Sequence, residues 1–296
     1  MNYPFYIVDV FAVDQYTGNQ LAVFTNAEQL SDHKMQEIAK EINFSETTFI
    51  DASPETENCY NVRIFTPKQE LPFAGHPTLG TAYIIRESVI SQQEKINFNQ
   101  ITLNLKAGKI PVKWENTPQG EEVLWMQQNQ PQFGQTISPE TMASVLNISP
   151  EAIHPNFPIQ EVSTGVYFLI VPVARLETLK NIKVNLDAYY QLINSLEAKS
   201  ILVFSPETYG SENDLCVRVF ADYLGIPEDP ATGSANGCLA GYLVENNVFP
   251  SGGETLQIRV EQGYEINRPS LLLLKANQNK IEVGGQVKTI AHGHFF

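Results

Sequence analysis

Three ionisable residues stand in local patterns where a proton could be moved as well as merely solvated. Glu46 lies in Phe44-Ser45-Glu46-Thr47-Thr48-Phe49-Ile50, a stretch of strand character whose alternation puts it on the same side as Ile50. A carboxylate that shares a face with an apolar residue is desolvated, which raises its pKa toward the range useful to a general acid or base. The plainer alternative is a solvated carboxylate at a strand edge. His76 sits inside the turn Gly75-His76-Pro77-Thr78, and Asp229 stands directly before Pro230-Ala231-Thr232-Gly233-Ser234. His76 could equally be a hydrogen-bonded core histidine, and Asp229 could be an N-cap-like residue that satisfies first-turn amides.

Both turns open helices of unusual composition. Residues 77–90 carry Leu79, Ala82, Tyr83, Ile84 and Ile85, with Pro77 in the first turn, and residues 233–244 are apolar or small on nearly every face until Glu245. A helix that is apolar all round is a buried one. Its N-terminus leaves backbone N–H donors that need partners, and the partial positive charge there favours an anion. The amides around Gly75, Gly233 and Ser234 are therefore candidate carboxylate cradles. Capping by water or by the neighbouring Thr and Ser hydroxyls is the competing account.

The elements that must position these residues follow from periodicity. Residues 5–13 and 20–25 predict two strands joined by a turn at Gly18-Asn19. Ser31 is a good N-cap for a helix with Met35, Ile38, Ala39 and Ile42 on one face, after which residues 45–50 return to strand character. Further strands are predicted at 59–66 and 101–105. The second half repeats the pattern: Arg63-Ile64-Phe65 with Pro72 nine residues beyond Arg63 matches Arg218-Val219-Phe220 with Pro227 nine beyond Arg218, each followed by a Gly-containing turn and an apolar helix. Upstream, residues 163–172, a helix near 187–197 and a strand at 200–205 echo residues 18–50. Two such halves place their Gly-rich turns facing each other, and ligand sites favour such interfaces. The polar segment 115–122 reads as a linker or hairpin loop near the boundary.

A chain of 296 residues is comfortable for two cores, and 43% hydrophobic with 18% charged residues is ordinary globular composition. The 33 acidic against 19 basic residues, a net of -14, repel polyanions, so nucleic acid and anionic membrane are poor partners. Cys59, Cys216 and Cys238 are widely spaced, with no CxxC pair, which suits a reducing cytoplasm and indicates neither a disulfide framework nor a structural zinc site. No apolar run reaches about 18 residues, and the start lacks the features of a secretory leader. His292 and His294 could share one face of an extended segment, yet no third ligand can be named, so no metal is expected. Gly284-Gly285 reads as a bulge or turn. The phosphate-binding and nucleophile-elbow motifs GxGxxG, Walker A and GxSxG are all missing.

Taken together, DVFAVDQYTGNQLAVF, FSETTFI, RIFTPKQELPFAGHPTLGTAY, GIPEDPATGSANGCLAGYL and QGYEINRPS resemble the PhzF-like (phenazine biosynthesis-like) isomerases, which are related in fold to diaminopimelate epimerase. The resemblance runs through most of the chain. It implies an α+β fold of two similar domains related by a pseudo-twofold, each a β-barrel around a central helix, with the active site in the cleft between them. Residues 1–120, with 284–296 returning, would form the first and 121–283 the second. It also implies a homodimer and cofactor-free acid–base chemistry, with Glu46 as proton carrier and Gly75, His76, Asp229, Gly233 and Ser234 lining the pocket. Gln20 stands where the family usually has proline in a Gly-Asn-Pro turn, which puts the shape of the loop around the substrate-binding candidate Asn19 in doubt.

The two-thiol racemases of the same fold place cysteines where this chain has Ala74 and Pro230, neither of which can carry a proton. Cys238, about two turns inside its helix, reads as a small buried hydrophobe. The function expected is a cofactor-independent isomerase of a small carboxylic acid, moving a proton between carbons through Glu46, with Asp229 and His76 assisting. An epimerase or racemase with two opposed bases, and a non-catalytic protein that binds a small acid, are the alternatives.

Overall fold

The computed structural model describes residues 2–51, 58–90, 99–117, 120–250 and 254–296. It is a mixed-sheet α+β fold in two compact units, Met1–Gln127 with Gly284–Phe296, and Gln128–Val283.

In the first unit, β1 (Tyr3–Val10) and β2 (Asn19–Phe24) form an antiparallel pair, and α1 (Asp32–Ile42) crosses over to β3 (Glu46–Ile50), which runs parallel to β2. β4 (Cys59–Phe65) returns antiparallel to β3 and pairs with the short β5 (Glu70–Leu71). After α2 (Gly75–Ile84), β6 (Gln100–Leu105) lies parallel to β4, and β7 (Gly108–Asn116) and β8 (Glu122–Gln127) continue as antiparallel neighbours. Residues 115–122 are thus the β7–β8 hairpin, of which Pro118 and Gln119 lie outside the described residues.

The second unit repeats this order of pairings. β9 (Gln132–Ile137) leads through α3 (Pro139–Leu146) to the antiparallel pair β10 (Ile159–Ser163) and β11 (Tyr167–Pro172). The helices α4 (Leu176–Asn181) and α5 (Leu186–Ile193) then carry the chain to β12 (Ser200–Ser205), parallel to β11. β13 (Leu215–Ala221) is antiparallel to β12, and β14 (Ile226–Asp229) pairs back onto β13. Beyond α6 (Gly233–Glu245), β15 (Leu256–Gln262) is parallel to β13 and antiparallel to β16 (Ser270–Ala276). The chain ends in β17 (Ile281–Gly285) and β18 (Val287–Phe295), the latter antiparallel to β1 in the first unit.

Where these elements differ from the sequence expectation, local forces explain it. The first strand stops at Val10, not Val13, because Phe11 takes a left-handed conformation (φ 60°) that a pleated strand cannot continue. The helix expected over 77–90 begins two residues earlier, at Gly75, and passes at Ile85 into a π-helical segment, Ile85–Val89. The stretch 163–172 divides around the turn at Thr164–Val166, so its strand is β11 alone. Gly284 and Gly285 form no turn; they end β17, where a β-carbon on Gly284 would fall 2.6 Å from the Trp125 ring.

The cores follow from the apolar faces. Phe24 stacks on Phe49, which Phe65 meets edge-to-face, and Met35, Ile38 and Ala39 of α1 are buried in the same cluster. The helix α2 is apolar on every side and packs against β1, β2, β3, β6, β7, β8 and β18 of its own unit. The close fit is visible at Gly80, where a β-carbon would press on Leu21 at 2.6 Å and Val10 at 2.8 Å. In the second unit α6 is likewise buried over most of its length, against β10, β11 and β16.

Candidate functional site

The first unit brings four of the sequence candidates together. Glu46 opens β3 and is 9% exposed, held there because its neighbours Thr47 to Ile50 are all buried and leave the strand no freedom to turn it outward. The pairing Leu21↔Glu46 sets it beside β2, whose first residue is Asn19. His76 is the second residue of α2, 5% exposed, so its ring can only project among buried groups. Its Nε2 lies 3.5 Å from Glu46 Oε2, and its Nδ1 lies 3.2 Å from Asn19 Nδ2. Among the described residues the nitrogen that faces Glu46 makes no hydrogen bond, and neither does Glu46 Oε2, so a buried donor–acceptor pair is open to a substrate group at this place. Gly75 is the first residue of the same helix, whose N-cap, Ala74, has no side chain to offer the first-turn amides.

Burial pushes the His76 pKa down to about 3, against a smaller opposing influence from the Gln20 backbone. The ring is therefore neutral near pH 7, and its contact with Glu46 is not a pair of full charges. The consequence for stability has a definite sign. Below the ordinary histidine pKa of 6.5 the unfolded chain takes up a proton that the folded ring refuses, so this contribution is complete above pH 6.5 and is lost as the pH falls toward 3. The limiting slope is about 1.4 kcal/mol per pH unit. In urea unfolding, wild type should lose about 2 kcal/mol more than His76→Gln between pH 6.5 and 4.5. Parallel pH profiles for the two proteins would show that the buried ring is not the cause.

The second unit gathers Asp229, Gly233 and Ser234 around the start of α6. Asp229 ends β14, paired with Val219, and is 7% exposed. Thr232 is the N-cap by position, yet its hydroxyl makes no capping bond to the helix and instead donates to Asp229 Oδ2 at 2.5 Å. Gly233 and Ser234 are the first two residues of α6. Two residues not singled out by type and spacing complete this turn. The amide of Gln262 donates to the Asp229 carbonyl (2.8 Å) and contacts Thr232 Oγ1 (3.0 Å), while its Oε1 accepts from Thr232 N (3.1 Å) and Asn236 Nδ2 (3.0 Å). Gly263, next to it, has φ 80°, and a β-carbon there would come within 2.6 Å of the Pro230 carbonyl oxygen. The Gln-Gly pair that begins QGYEINRPS was the available signal, since a glycine after a strand marks a close backbone approach.

The remaining candidates carry no comparable chemistry. Cys238 is fully buried in α6, within reach of Thr164 and the Val166 carbonyl, and burial pushes its thiol up to about 11. It holds its proton at neutral pH. Cys59 and Cys216 are also buried and form no disulfide. His292 and His294 lie on β18 opposite Tyr6 and Pro4. Among the described residues no group of three His, Cys, Asp or Glu could hold a metal ion, and no helix is long and apolar enough to cross a membrane.

Each unit of this α+β protein thus holds a buried helix opened by a short turn with an ionisable residue beside it. The profile of the phenazine biosynthesis-like proteins matches residues 8–293, and the chain belongs to that family. It is 31% identical over 283 residues to an uncharacterised isomerase of Clostridium acetobutylicum, with 95% of this chain and 92% of the relative covered. To the trans-2,3-dihydro-3-hydroxyanthranilate isomerase of Pseudomonas aeruginosa it is 30% identical, with 98% of each covered. The crystal structure of a PhzF-family phenazine biosynthesis protein of Bacillus anthracis superposes with a TM-score of 0.90 at 26% identity, over 100% of this chain and 99% of that one. A probable proline racemase of Agrobacterium radiobacter shares the fold alone, at a TM-score of 0.60 and 11% identity. The protein is an isomerase.

Proposed function

We propose that the chain is a cofactor-independent isomerase of a small carboxylic acid, in which Glu46 takes a proton from an activated carbon and returns it to another carbon on the same face. The observation that carries this reading is the buried pair of Glu46 and a neutral His76, 3.5 Å apart and braced by Asn19. One carboxylate beside a neutral histidine suits one-base transfer, and no thiol occupies the positions that two-base racemases use. His76 and Asp229 hydrogen-bond substrate amino or hydroxyl groups, and the first-turn amides at Gly75, Gly233 and Ser234 hold its carboxylate, with Asn19 at the margin. The relative that isomerises trans-2,3-dihydro-3-hydroxyanthranilate supplies the first substrate to try. The same reading takes each unit's sheet to close as a barrel around its buried helix, and the protein to act as a cytoplasmic homodimer.

The test is incubation with trans-2,3-dihydro-3-hydroxyanthranilate and a panel of small unsaturated and hydroxy acids in D2O, followed by NMR. A proton shift places deuterium at a carbon different from the one that lost hydrogen. Deuterium at the same carbon with inverted configuration would replace the reading with an epimerase. Binding of an acid without any exchange would make the protein a binding module.

A further inference from the structure

We infer that Gln262 is a positioning residue which, through the hydroxyl of Thr232, fixes the side chain of Asp229. The inference rests on the proposed role of Asp229 toward substrate, but its geometry stands apart from that role. Gln262 is fully buried, so it cannot itself touch a ligand. Its amide reaches the turn that carries Asp229 and the helix that follows. Nε2 donates to the Asp229 carbonyl, which fixes the backbone of the aspartate. The same nitrogen lies 3.0 Å from Thr232 Oγ1 and has only hydrogens to offer, so the hydroxyl must accept there. A hydroxyl that accepts from the amide turns its single proton elsewhere, and Asp229 Oδ2 stands 2.5 Å away to receive it. The order of donation is thereby one-way: Gln262 amide to Thr232 hydroxyl to Asp229 carboxylate. Such chains polarise each member in the same sense, and the last bond ends on the Asp229 carboxyl oxygen.

Asn236 locks the start of this chain. Its Nδ2 donates both to Gln262 Oε1 and to the Thr232 carbonyl, which leaves Oε1 committed and prevents the Gln262 amide from flipping. Thr232 N also donates to Oε1, closing a ring between Gln262 and the residue that carries the relaying hydroxyl. The helix entry, the strand end of β15 and the aspartate are thus held by one side chain. A glutamate at 262 would keep the shape and both acceptor contacts but lose the donor. The Thr232 hydroxyl would then donate to residue 262, and Asp229 Oδ2 would lose that hydrogen bond.

The experiment follows the rotamer of Asp229 by its three-bond N–Cγ coupling in selectively labelled protein, assigned with Asp229→Asn, alongside the thermal unfolding curve. Wild type and Thr232→Ser, which keeps the hydroxyl, should show a coupling typical of one rotamer. Thr232→Val, of the same shape without the hydroxyl, and Gln262→Glu should both show an averaged coupling while remaining folded. If either fails to fold, the other decides. A single-rotamer coupling in a folded Thr232→Val or Gln262→Glu protein would overturn the inference. Turnover is read separately: for any acid that exchanges deuterium, Thr232→Val should lower the rate at saturation about tenfold, with Thr232→Ser restoring it. An averaged rotamer with an unchanged rate would leave the positioning in place and remove Asp229 from the reaction.

Discussion

Glu46→Gln is expected to lower solvent-deuterium exchange into a substrate by about 10² to 10⁴-fold while leaving that substrate's binding measurable. The substitution is isosteric, so the strand β3 and its buried neighbours Thr47 to Ile50 have no reason to move. What changes is the capacity to accept a proton, because an amide oxygen at this place cannot be protonated at any useful pH. His76 does not replace it. Burial holds that ring neutral and pushes its pKa down to about 3, which makes it a poor base near pH 7. The check is NMR of the exchanging acid in D2O with both proteins, and a thermal-shift titration for binding. A ligand at 100 times its dissociation constant stabilises by roughly 2.7 kcal/mol, enough to read in either protein. Exchange at the wild-type rate in Glu46→Gln would remove the residue from the role.

Some of this arrangement was legible in the residues alone, and the limits have physical causes. Helix α1 was readable because a surface helix announces itself by spacing: Ser31 caps it by accepting from Lys34 N, and Met35, Ile38 and Ala39 face the core. The buried helices α2 and α6 were readable for the opposite reason, having no polar face. Their ends were less so. Pro77 suggested a start near its own position, since proline suits a first turn, whereas the helix begins at Gly75 and proline fills its third place. The π-helical continuation at Ile85 left no sequence mark. The close approach of Glu46 to His76 joins residues 30 apart in the chain, and only the parallel pairing of β2 with β3 and the seat of α2 under both create it. Periodicity placed Glu46 on an apolar face but could not name its partner. Gln262 went unread as a site residue because a lone buried amide has no spacing signature. Its meaning comes from the four groups that happen to meet it.

The internal repeat makes a second large prediction, on stability. Arg63 and Arg218 occupy matching strands, β4 and β13, and each grips a glutamate with two hydrogen bonds, Glu70 at 2.8 and 2.8 Å and Glu228 at 2.9 and 2.7 Å. Their surroundings decide what each is worth. The Arg63 side chain is 30% exposed, and of its partners Asp32 is 84% exposed while Glu70, 13% exposed, keeps a second cation in Lys106 at 2.5 Å, so neither carboxylate is left unpaired in a dry place when the guanidinium goes. The Arg218 side chain is 9% exposed, and its remaining nitrogen reaches the carbonyls of Leu179, Lys180 and Ile182 at the end of α4. Removing it leaves Glu228 without its guanidinium partner in a place where that side chain is 10% exposed, and takes a donor from the carbonyls of Lys180 and Ile182. Breaking a buried pair by deleting one partner typically costs about 3–5 kcal/mol, against about 0–1 for an exposed pair. Arg218→Leu should therefore lower the urea midpoint strongly, and Arg63→Leu only slightly. Adding Glu228→Gln to Arg218→Leu should recover part of the loss, since the orphaned charge causes much of it. If Arg218→Leu costs no more than Arg63→Leu, water reaches this cluster freely and the burial account of it is wrong.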